Sequence, residues 1–316
     1  MKGHVRDGIL GVAVGDAVGL PVQFAERSER KKHPVTDMTG NGVFHMPAGS
    51  WSDDTSLTLC LLDSLSYGKF NPDDIMQRFG RWLTDGEYTP FGESFDIGQG
   101  TMEAIERYLN GIPAEQCGGR EASNNGNGSL MRILPLSYYL YLKEGSDCDT
   151  ETIVKLTDTV SALTHAHDRS KVGCGIYIMT AMELLNGAEK NEAVKKTMAR
   201  AEKYYSEAGR EEIQTYHRIA EPGFQNLPEE KINSSGYVVD TLEAALWAFL
   251  NTETYRDCVL KTTNLGLDTD SVSAVAGGLA GIYYGAEGIP QDWVKAIRRR
   301  DWIEEKCRKM ETVTKG

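Results

Sequence analysis

The sequence has 316 residues with 34 Lys and Arg against 46 Asp and Glu, so its formal net charge is −12 at pH 7. This acidic balance argues against a general nucleic-acid binder, which needs a basic face for the phosphate backbone. With 40% hydrophobic and 25% charged residues, the composition is that of a soluble globular chain of one or two domains.

Helical periodicity dominates the chain, and alternating strand patterns are nearly absent. The clearest helix follows Asn71, which can cap it, with Pro72 at the first position and Gly86 as the residue that ends it. Because no linker or low-complexity segment interrupts the chain, we expect an all-α fold, compact and single-domain, over residues 1–316. The other predicted helices span 95–110, 152–165, 171–186, 189–208 and 238–250, and a last one begins at Pro290 and continues past Trp302.

Two further helices carry stripes of glycine. Gly8, Gly11, Gly15 and Gly19 share one face of the first, and Gly277, Gly281 and Gly285 repeat every four residues in the second. A glycine inside a helix costs up to about 1 kcal/mol relative to alanine, so a whole stripe needs a compensating close approach of backbones. We expect both helices to lie in the protein centre, near each other or against equally tight neighbours.

No membrane span or secretion signal is evident. The longest uncharged stretch, 271–286, has 16 residues and contains four glycines, whereas a bilayer needs about 20 apolar residues. The first residues lack the apolar core and cleavage site of a signal peptide. We therefore expect a cytoplasmic protein that binds neither membranes nor a nucleic-acid backbone.

Pairs of acidic residues stand immediately before two apolar helices, in the segments 52–55 (Ser-Asp-Asp-Thr) and 268–271 (Asp-Thr-Asp-Ser). Each pair could be an ordinary helix cap, but one cap needs only one acid. Four carboxylates and flanking hydroxyls, without thiolates or clustered histidines, suit hard cations such as Mg²⁺ or Mn²⁺. A binuclear metal site and a pair of plain caps both remain open from spacing alone.

Two polar segments offer a second kind of chemistry. The run from Ser123 to Arg132 contains Gly126 and Gly128, and its exposed N–H groups favour an anion, although a plain turn fits equally well. In the segment 164–170, His165 and His167 alternate without a third nitrogen donor nearby, so contact with phosphate or ribose is more plausible than metal binding. A structural histidine is the equal alternative.

Taken in order, these motifs resemble the ADP-ribosylglycohydrolase family. The resemblance rests on the segments 11–19, 51–55, 126–132, 164–165, 268–271 and 276–281. It implies an all-α fold with two Mg²⁺ or Mn²⁺ ions at the bottom of a cleft. It also implies hydrolysis of the glycosidic bond between ADP-ribose and an acceptor, with an ADP-ribosylated protein or a small-molecule conjugate as partner.

The resemblance also implies roles for single residues. Asp53 or Asp54 would relay a proton, Tyr237 would pack beside the ligand, and Asp16 would be structural. The implied metal ligands are Ser52, Asp53, Asp54, Asp268, Asp270 and Ser271. The implied contacts to ADP-ribose are Ser123, Asn124, Gly126, Asn127, Gly128 and His165.

Two residues depart from the family pattern. Leu267 replaces a glycine that often precedes the second acid pair, which we expect to be a small backbone matter. Gln23 stands where many members have Glu; its amide can coordinate a cation or orient a water but cannot take a proton near neutral pH. Gln23 therefore keeps open a non-catalytic ADP-ribose binder or a structural, crystallin-like relative, and the ligand types alone would also suit a dinuclear phosphohydrolase.

Overall fold

The structure, a computed structural model, describes residues 4–313, and within them it contains fifteen α-helices, three isolated β-bridges and no strand. The prediction of an all-α fold is confirmed. The helices are α1 (Val5–Gly19), α2 (Arg27–Lys32), α3 (Asp53–Leu65), α4 (Pro72–Asp85), α5 (Gln99–Leu109), α6 (Pro135–Glu144), α7 (Thr150–Ala162), α8 (Asp168–Leu185), α9 (Lys190–Glu207), α10 (His217–Ala220), α11 (Val238–Leu250), α12 (Tyr255–Thr263), α13 (Thr269–Tyr284), α14 (Gln291–Ala296) and α15 (Arg300–Glu311).

Helices α1 and α13 form the centre of the molecule and pack directly on each other. A Cβ added at Gly11 would overlap the backbone of Gly277, and one added at Gly15 would lie 2.6 Å from the carbonyl carbon of Ser273. Almost every residue of both helices is buried. The prediction of two central helices in close approach is therefore confirmed, because only glycine leaves room for backbones at this separation.

Gly285 is the exception in the second stripe. It follows the last residue of α13 with φ 76°, and no atom would meet a Cβ built there. It therefore ends the helix in the left-handed region instead of contributing to the contact with α1.

The predicted bounds of helix α4 are confirmed. The Asn71 side chain accepts hydrogen bonds from the backbone N–H groups of Asp73 and Asp74, and Gly86 ends the helix with φ 67°. Both ends thus follow from side chains that the sequence already displays.

Four predicted helices are wrong at their ends. The two expected over 152–165 and 171–186 are α7 and α8, which begin two and three residues earlier, and α7 also ends three residues earlier. The helix expected over 95–110 begins only at Gln99, because Asp96 has φ 57° and residues 95–98 form a loop. The helix expected from Pro290 is divided into α14 and α15 by Arg299, which has φ 55°. In the last two helices one residue in the left-handed region interrupts a pattern whose periodicity favours a helix.

The buried apolar side chains form one cluster that runs through most of the helices. No described helix is both long enough and apolar enough to cross a bilayer. The extent of the domain over 1–316 and the cytoplasmic location stay predictions.

Candidate active site

Asp16 holds the start of α3 in place through hydrogen bonds. Its carboxylate accepts hydrogen bonds from the backbone N–H groups of Ser52 (2.9 Å) and Thr55 (3.1 Å) and from the Thr55 hydroxyl (2.6 Å). Burial raises the pKa of Asp16 to about 7, and these hydrogen bonds oppose the rise. Asp16 has a structural role, as expected, because it aims the first turn of α3.

The starts of α3 and α13 meet, which brings the two acid pairs together. The hydroxyls of Ser52 and Ser271 both donate to Oδ2 of Asp54, at 3.1 and 3.3 Å. Gly19 lets α1 approach so closely that an added Cβ would lie 2.5 Å from the Cα atom of Asp270. The glycine stripe of α1 therefore sets the position of an acidic residue of the site.

The carboxylates have little to neutralise them. Burial raises the pKa of Asp53, Asp54 and Asp270 well above the usual value, and repulsion among the neighbouring carboxylates raises it further. Oδ1 of Asp54 and both carboxylate oxygens of Asp270 are buried without a hydrogen-bond partner. Such oxygens are costly unless a ligand completes them.

Asp96, which the sequence analysis missed, belongs to this group. It lines the same cleft, and its Oδ2 is buried without a hydrogen-bond partner. Burial raises its pKa, while the neighbouring side chains of Asp270 and Gln23 oppose the rise. The helical periodicity of residues 95–110 places Asp96 in the first turn of a predicted helix, so the sequence gives no indication that it lines the cleft.

The loop at 126–128 curves around His165. A Cβ at Gly128 would lie 2.8 Å from the imidazole, and one at Gly126 would lie 3.5 Å from Nε2. The Asn127 amide donates to Asp268 (2.7 Å) and to Thr241 (2.9 Å), which ties the loop to the second acid pair. Glycine at position 128 thus lets the loop lie against the imidazole, which a Cβ there would overlap.

His165 is neutral over the physiological range. Burial and the nearby positive charge of Arg132 lower its pKa to about 3. Its Nδ1 is hydrogen-bonded to the Thr164 hydroxyl at 2.7 Å. Nε2 faces the cleft and is free to serve as a neutral hydrogen-bonding group.

Arg132 lies behind this loop and is fully buried. Its guanidinium donates to the carbonyl oxygens of Gly128 and Val160 and lies over the ring of Phe79, and its Nε has no hydrogen-bond partner. Burial lowers its pKa to about 10, so it stays charged at neutral pH. A buried positive charge therefore stands directly behind the loop expected to hold phosphate.

Three residues predicted to contact substrate lie outside the lining of the cleft. Ser123 is exposed, and the Asn124 side chain accepts from the backbone N–H of Glu121. The Tyr237 hydroxyl accepts from Arg169 at 2.9 Å. Ser52 and Asp54, which are predicted as metal ligands, are buried and also lie outside the lining of the cleft.

The cleft itself has a volume of about 520 Å³. It is lined by Gln23, Phe24, Asp53, Asp96, Ile97, Gly98, Gln99, Gly100, Thr101, Gly126, Asn127, Gly128, Met131, His165, Ser235, Gly236, Leu267, Asp268, Asp270 and Ser271. One wall carries carboxylates and the other carries the glycine loop with His165. This combination suits a ligand that has one anionic part and a second part that binds cations.

Comparison with known proteins identifies the family. The model of the ADP-ribosylglycohydrolase family matches residues 1–316. The chain belongs to the ADP-ribosylglycohydrolase family. It is a hydrolase that acts on glycosyl bonds of ADP-ribose, and this disfavours the non-catalytic alternative.

Relatives in this family are similar over nearly the whole chain. An ADP-ribosylarginine hydrolase of Pseudomonas putida (strain GB-1) is 36% identical, covering 96% of this chain and 76% of the relative. An ADP-ribosyl-[dinitrogen reductase] glycohydrolase of Rhodospirillum rubrum is 29% identical, covering 91% and 88%. A solved structure described as an ADP-ribosylglycohydrolase-related protein complex has a TM-score of 0.77 and 31% identity, with 98% of this chain and 97% of that chain covered.

Leu267 departs from the family pattern more seriously than expected. It has φ 63°, in the region that favours glycine. Its carbonyl accepts from the Phe24 N–H at 2.6 Å and its N–H donates to the carbonyl of Ala25 at 2.8 Å. Phe24 also has a positive φ, 66°, so the expectation of a small backbone matter is wrong: two bulky residues hold a strained backbone at the edge of the cleft.

Proposed function

We propose that this ADP-ribosylglycohydrolase removes ADP-ribose from arginine, in a reaction that depends on two Mg²⁺ or Mn²⁺ ions. The observation that carries the proposal is the convergence of four carboxylates on one cleft, with the buried carboxylate of Asp54 close to them; the four are Asp53, Asp96, Asp268 and Asp270. Their negative charge favours a cationic acceptor such as guanidinium. Relatives that are 36% and 32% identical are named ADP-ribosylarginine hydrolases.

The donor set fits hard divalent cations. Buried oxygens of Asp54, Asp270 and Gln23 have no hydrogen-bond partner, and carboxylate, amide and hydroxyl oxygens are the ligands that Mg²⁺ and Mn²⁺ take. Among residues 4–313, no three or more His, Cys, Asp and Glu side chains already have the arrangement of a metal site. Asp53, Asp54, Asp268 and Asp270 would supply the carboxylate ligands of the ions.

The cations, when bound, would lower the pKa of water and neutralise the carboxylates. The remaining negative charge of the carboxylates would stabilise the positive charge that develops on the ribose ring as the glycosidic bond breaks. Asp96 is the best-placed base, because its Oδ2 is buried in the cleft without a partner and is able to accept the proton of the attacking water. The water oxygen bonds to the anomeric carbon as the C–N bond breaks. The guanidine leaves with that electron pair and takes up the water's proton from Asp96.

The glycine loop and His165 would hold the diphosphate. The N–H groups of Gly126 and Gly128 suit an anion, whereas the Asn127 N–H donates to the carbonyl of Gly236 at 2.9 Å. The buried charge of Arg132 behind the loop adds a favourable potential. The neutral His165 Nε2 would hydrogen-bond the ligand without supplying a charge. This division puts the anionic part of ADP-ribose at the loop and its reacting ribose at the carboxylates.

The direct test is hydrolysis of purified ADP-ribosylarginine by the full chain with Mg²⁺, Mn²⁺ or a chelator, with products separated by chromatography and identified by mass. We expect free ADP-ribose and arginine with either cation and none with the chelator. Asp270→Asn, which keeps the side-chain volume but removes the charge, should be inactive. Undiminished turnover in the chelator would contradict the metal requirement, and AMP as the product would contradict the reaction class.

A further inference from the structure

An aromatic ring stands exposed at the edge of the acidic cleft. Phe24 lines the cleft and has 61% of its surface exposed, the second largest exposure among the large hydrophobic side chains of residues 4–313. Exposure of a phenyl ring to water is unfavourable, so a ring in this place is available to a ligand. Leu267 and Ile97, both partly buried, continue the apolar edge.

The backbone that presents this ring is held firmly. Phe24 and Leu267 both have positive φ, which is unfavourable for side chains of this kind, and their segments exchange the two backbone hydrogen bonds described above. The next contact along the chain is Arg27, whose guanidinium donates to the carbonyl oxygens of Leu265 (2.9 Å) and Glu229 (2.7 Å). Gly266, with φ 80°, leaves the space into which residues 25–27 fit. Such constraints fix the ring beside the cleft instead of letting it fold back onto the core.

The position of the ring determines which part of the substrate it would contact. Phe24 follows Gln23, and Leu267 precedes Asp268, so the apolar edge adjoins the carboxylate wall where the ribose would react. A flat cation between a phenyl face and a group of carboxylates gains from both, since the ring quadrupole and the carboxylates attract the same charge.

We propose that Phe24 is a specificity residue whose ring stacks on the guanidinium of the ADP-ribosylated arginine. This assignment rests on the proposed function, because it takes the acceptor to be arginine. Removing the ring should cost roughly 3- to 30-fold in kcat/KM for an arginine conjugate, the range of a cation–π contact. The affinity for ADP-ribose itself, which lacks the guanidinium, should stay the same.

The experiment compares Phe24→Asn, Phe24→Trp and wild type, as full chains with Mg²⁺. Asparagine tolerates a positive φ, so Phe24→Asn removes the ring without adding strain. Phe91→Asn is the matched control, because Phe91 is also an exposed ring (48%) but lies outside the lining of the cleft. For each protein, kcat/KM is measured on free ADP-ribosylarginine and on a peptide that carries it, and Kd for ADP-ribose is measured by calorimetry.

We expect Phe24→Asn to lose kcat/KM on both substrates with Kd within twofold of wild type, and Phe24→Trp and Phe91→Asn to behave like wild type. An equal loss of affinity for ADP-ribose would place the ring against the adenine and overturn the assignment. A loss of kcat/KM on the peptide alone, or unchanged kinetics on both substrates, would also overturn it. If wild type is inactive on both arginine substrates, the proposed function fails and the assignment fails with it. An active wild type with an unaffected Phe24→Asn overturns the assignment alone.

Discussion

Gln23 contacts the residue that we assign as the base. Its side chain is buried at the cleft and opposes the rise that burial causes in the pKa of Asp96. A carboxylate at position 23 would act in the opposite direction, because a neighbouring negative charge disfavours ionisation of Asp96. With Asp96 as the proposed base, we therefore expect the departure from the family's Glu to change the pH range of activity and not to remove it.

Gln23→Glu is expected to move the acidic limb of the kcat–pH profile to higher pH. A base works only when deprotonated, so activity falls as the pH falls through its pKa, and a raised pKa starts that fall earlier. The measurement is kcat between pH 5 and 9 at saturating Mg²⁺. Gln23→Met, of similar size and uncharged, is the control for lost packing; an unmoved limb in Gln23→Glu would remove Asp96 from the role of base.

His165 gives a prediction for stability. Its pKa is lowered to about 3 in the folded protein, against 6.5 for the free side chain. The unfolded chain takes up a proton as the pH falls below 6.5 while the folded chain does not, so stability is lost from pH 6.5 downward toward pH 3. Between pH 7 and pH 5 this amounts to roughly 2 kcal/mol.

The check is urea unfolding of wild type and His165→Gln at both pH values. The variant should lose less free energy of unfolding than wild type between pH 7 and pH 5, because glutamine does not titrate. The comparison between the two proteins cancels the contributions of the buried carboxylates. Equal losses would mean that the imidazole is protonated in the folded state.

Individual site residues differ in how far the sequence reveals them. Asp53, Asp268 and Asp270 follow from acids placed at helix starts, and the structure brings them to one cleft. Asp96 has no such neighbour in the sequence, and its place depends on a positive φ and on contacts with distant elements. The role of Tyr237 follows only from the family resemblance, and its hydroxyl accepts a hydrogen bond from Arg169.

At the scale of elements, the contact between α1 and α13 determines the site. A Cβ at Gly15 would overlap the carbonyl of Ser273, and backbone cannot move aside as a flexible side chain can. Gly80 in α4 is the contrasting case, since a Cβ there would meet only the end of the exposed Leu109 side chain at 3.2 Å.

Gly15→Ala is expected to destabilise the protein by about 3 kcal/mol, at the upper end of overpacking effects, because one of the two helices must shift. Gly80→Ala is expected to be neutral or to stabilise by up to about 1 kcal/mol through helix propensity. Chemical unfolding of both variants makes the comparison. Similar free energies for the two would mean that α1 and α13 are less tightly packed than the structure has them.

Helices were easier to predict than their ends. The side chains that end α4, Asn71 and Gly86, are local signals, so its bounds are correct. The break at Arg299 has no such signal: Trp51 donates to the carbonyl of Arg298 (2.9 Å) and the Arg298 N–H donates to that of Gly49 (3.0 Å). These contacts join residues about 250 positions apart and overrule the local periodicity.

At the scale of the whole molecule, the main question is how the negative charge of the cleft is balanced. The chain carries −12, and its central cleft holds several of those charges in a buried place. Burial raises the pKa of these carboxylates, so their ionised forms lower the stability of the fold as the pH rises. The ligand is expected to bring a diphosphate, which adds negative charge, so bound cations would favour both folding and substrate binding.

Divalent cations should therefore raise the melting temperature. Binding only to the folded state at 100 times Kd adds about 2.7 kcal/mol, which for a chain of this length corresponds to a Tm rise of about 4 °C. The measurement is differential scanning calorimetry at pH 7.5 in chelator, in Mg²⁺ and in Na⁺ at matched ionic strength, which separates binding from general screening. Asp270→Asn supplies the internal control. Because it removes one of the repelling carboxylates, it should melt above wild type in chelator and gain less from Mg²⁺. Should wild type melt at the same temperature in chelator and in Mg²⁺, or gain equally from Na⁺, the carboxylates of α3 and α13 would hold no specific ion and the metal-dependent mechanism would be wrong.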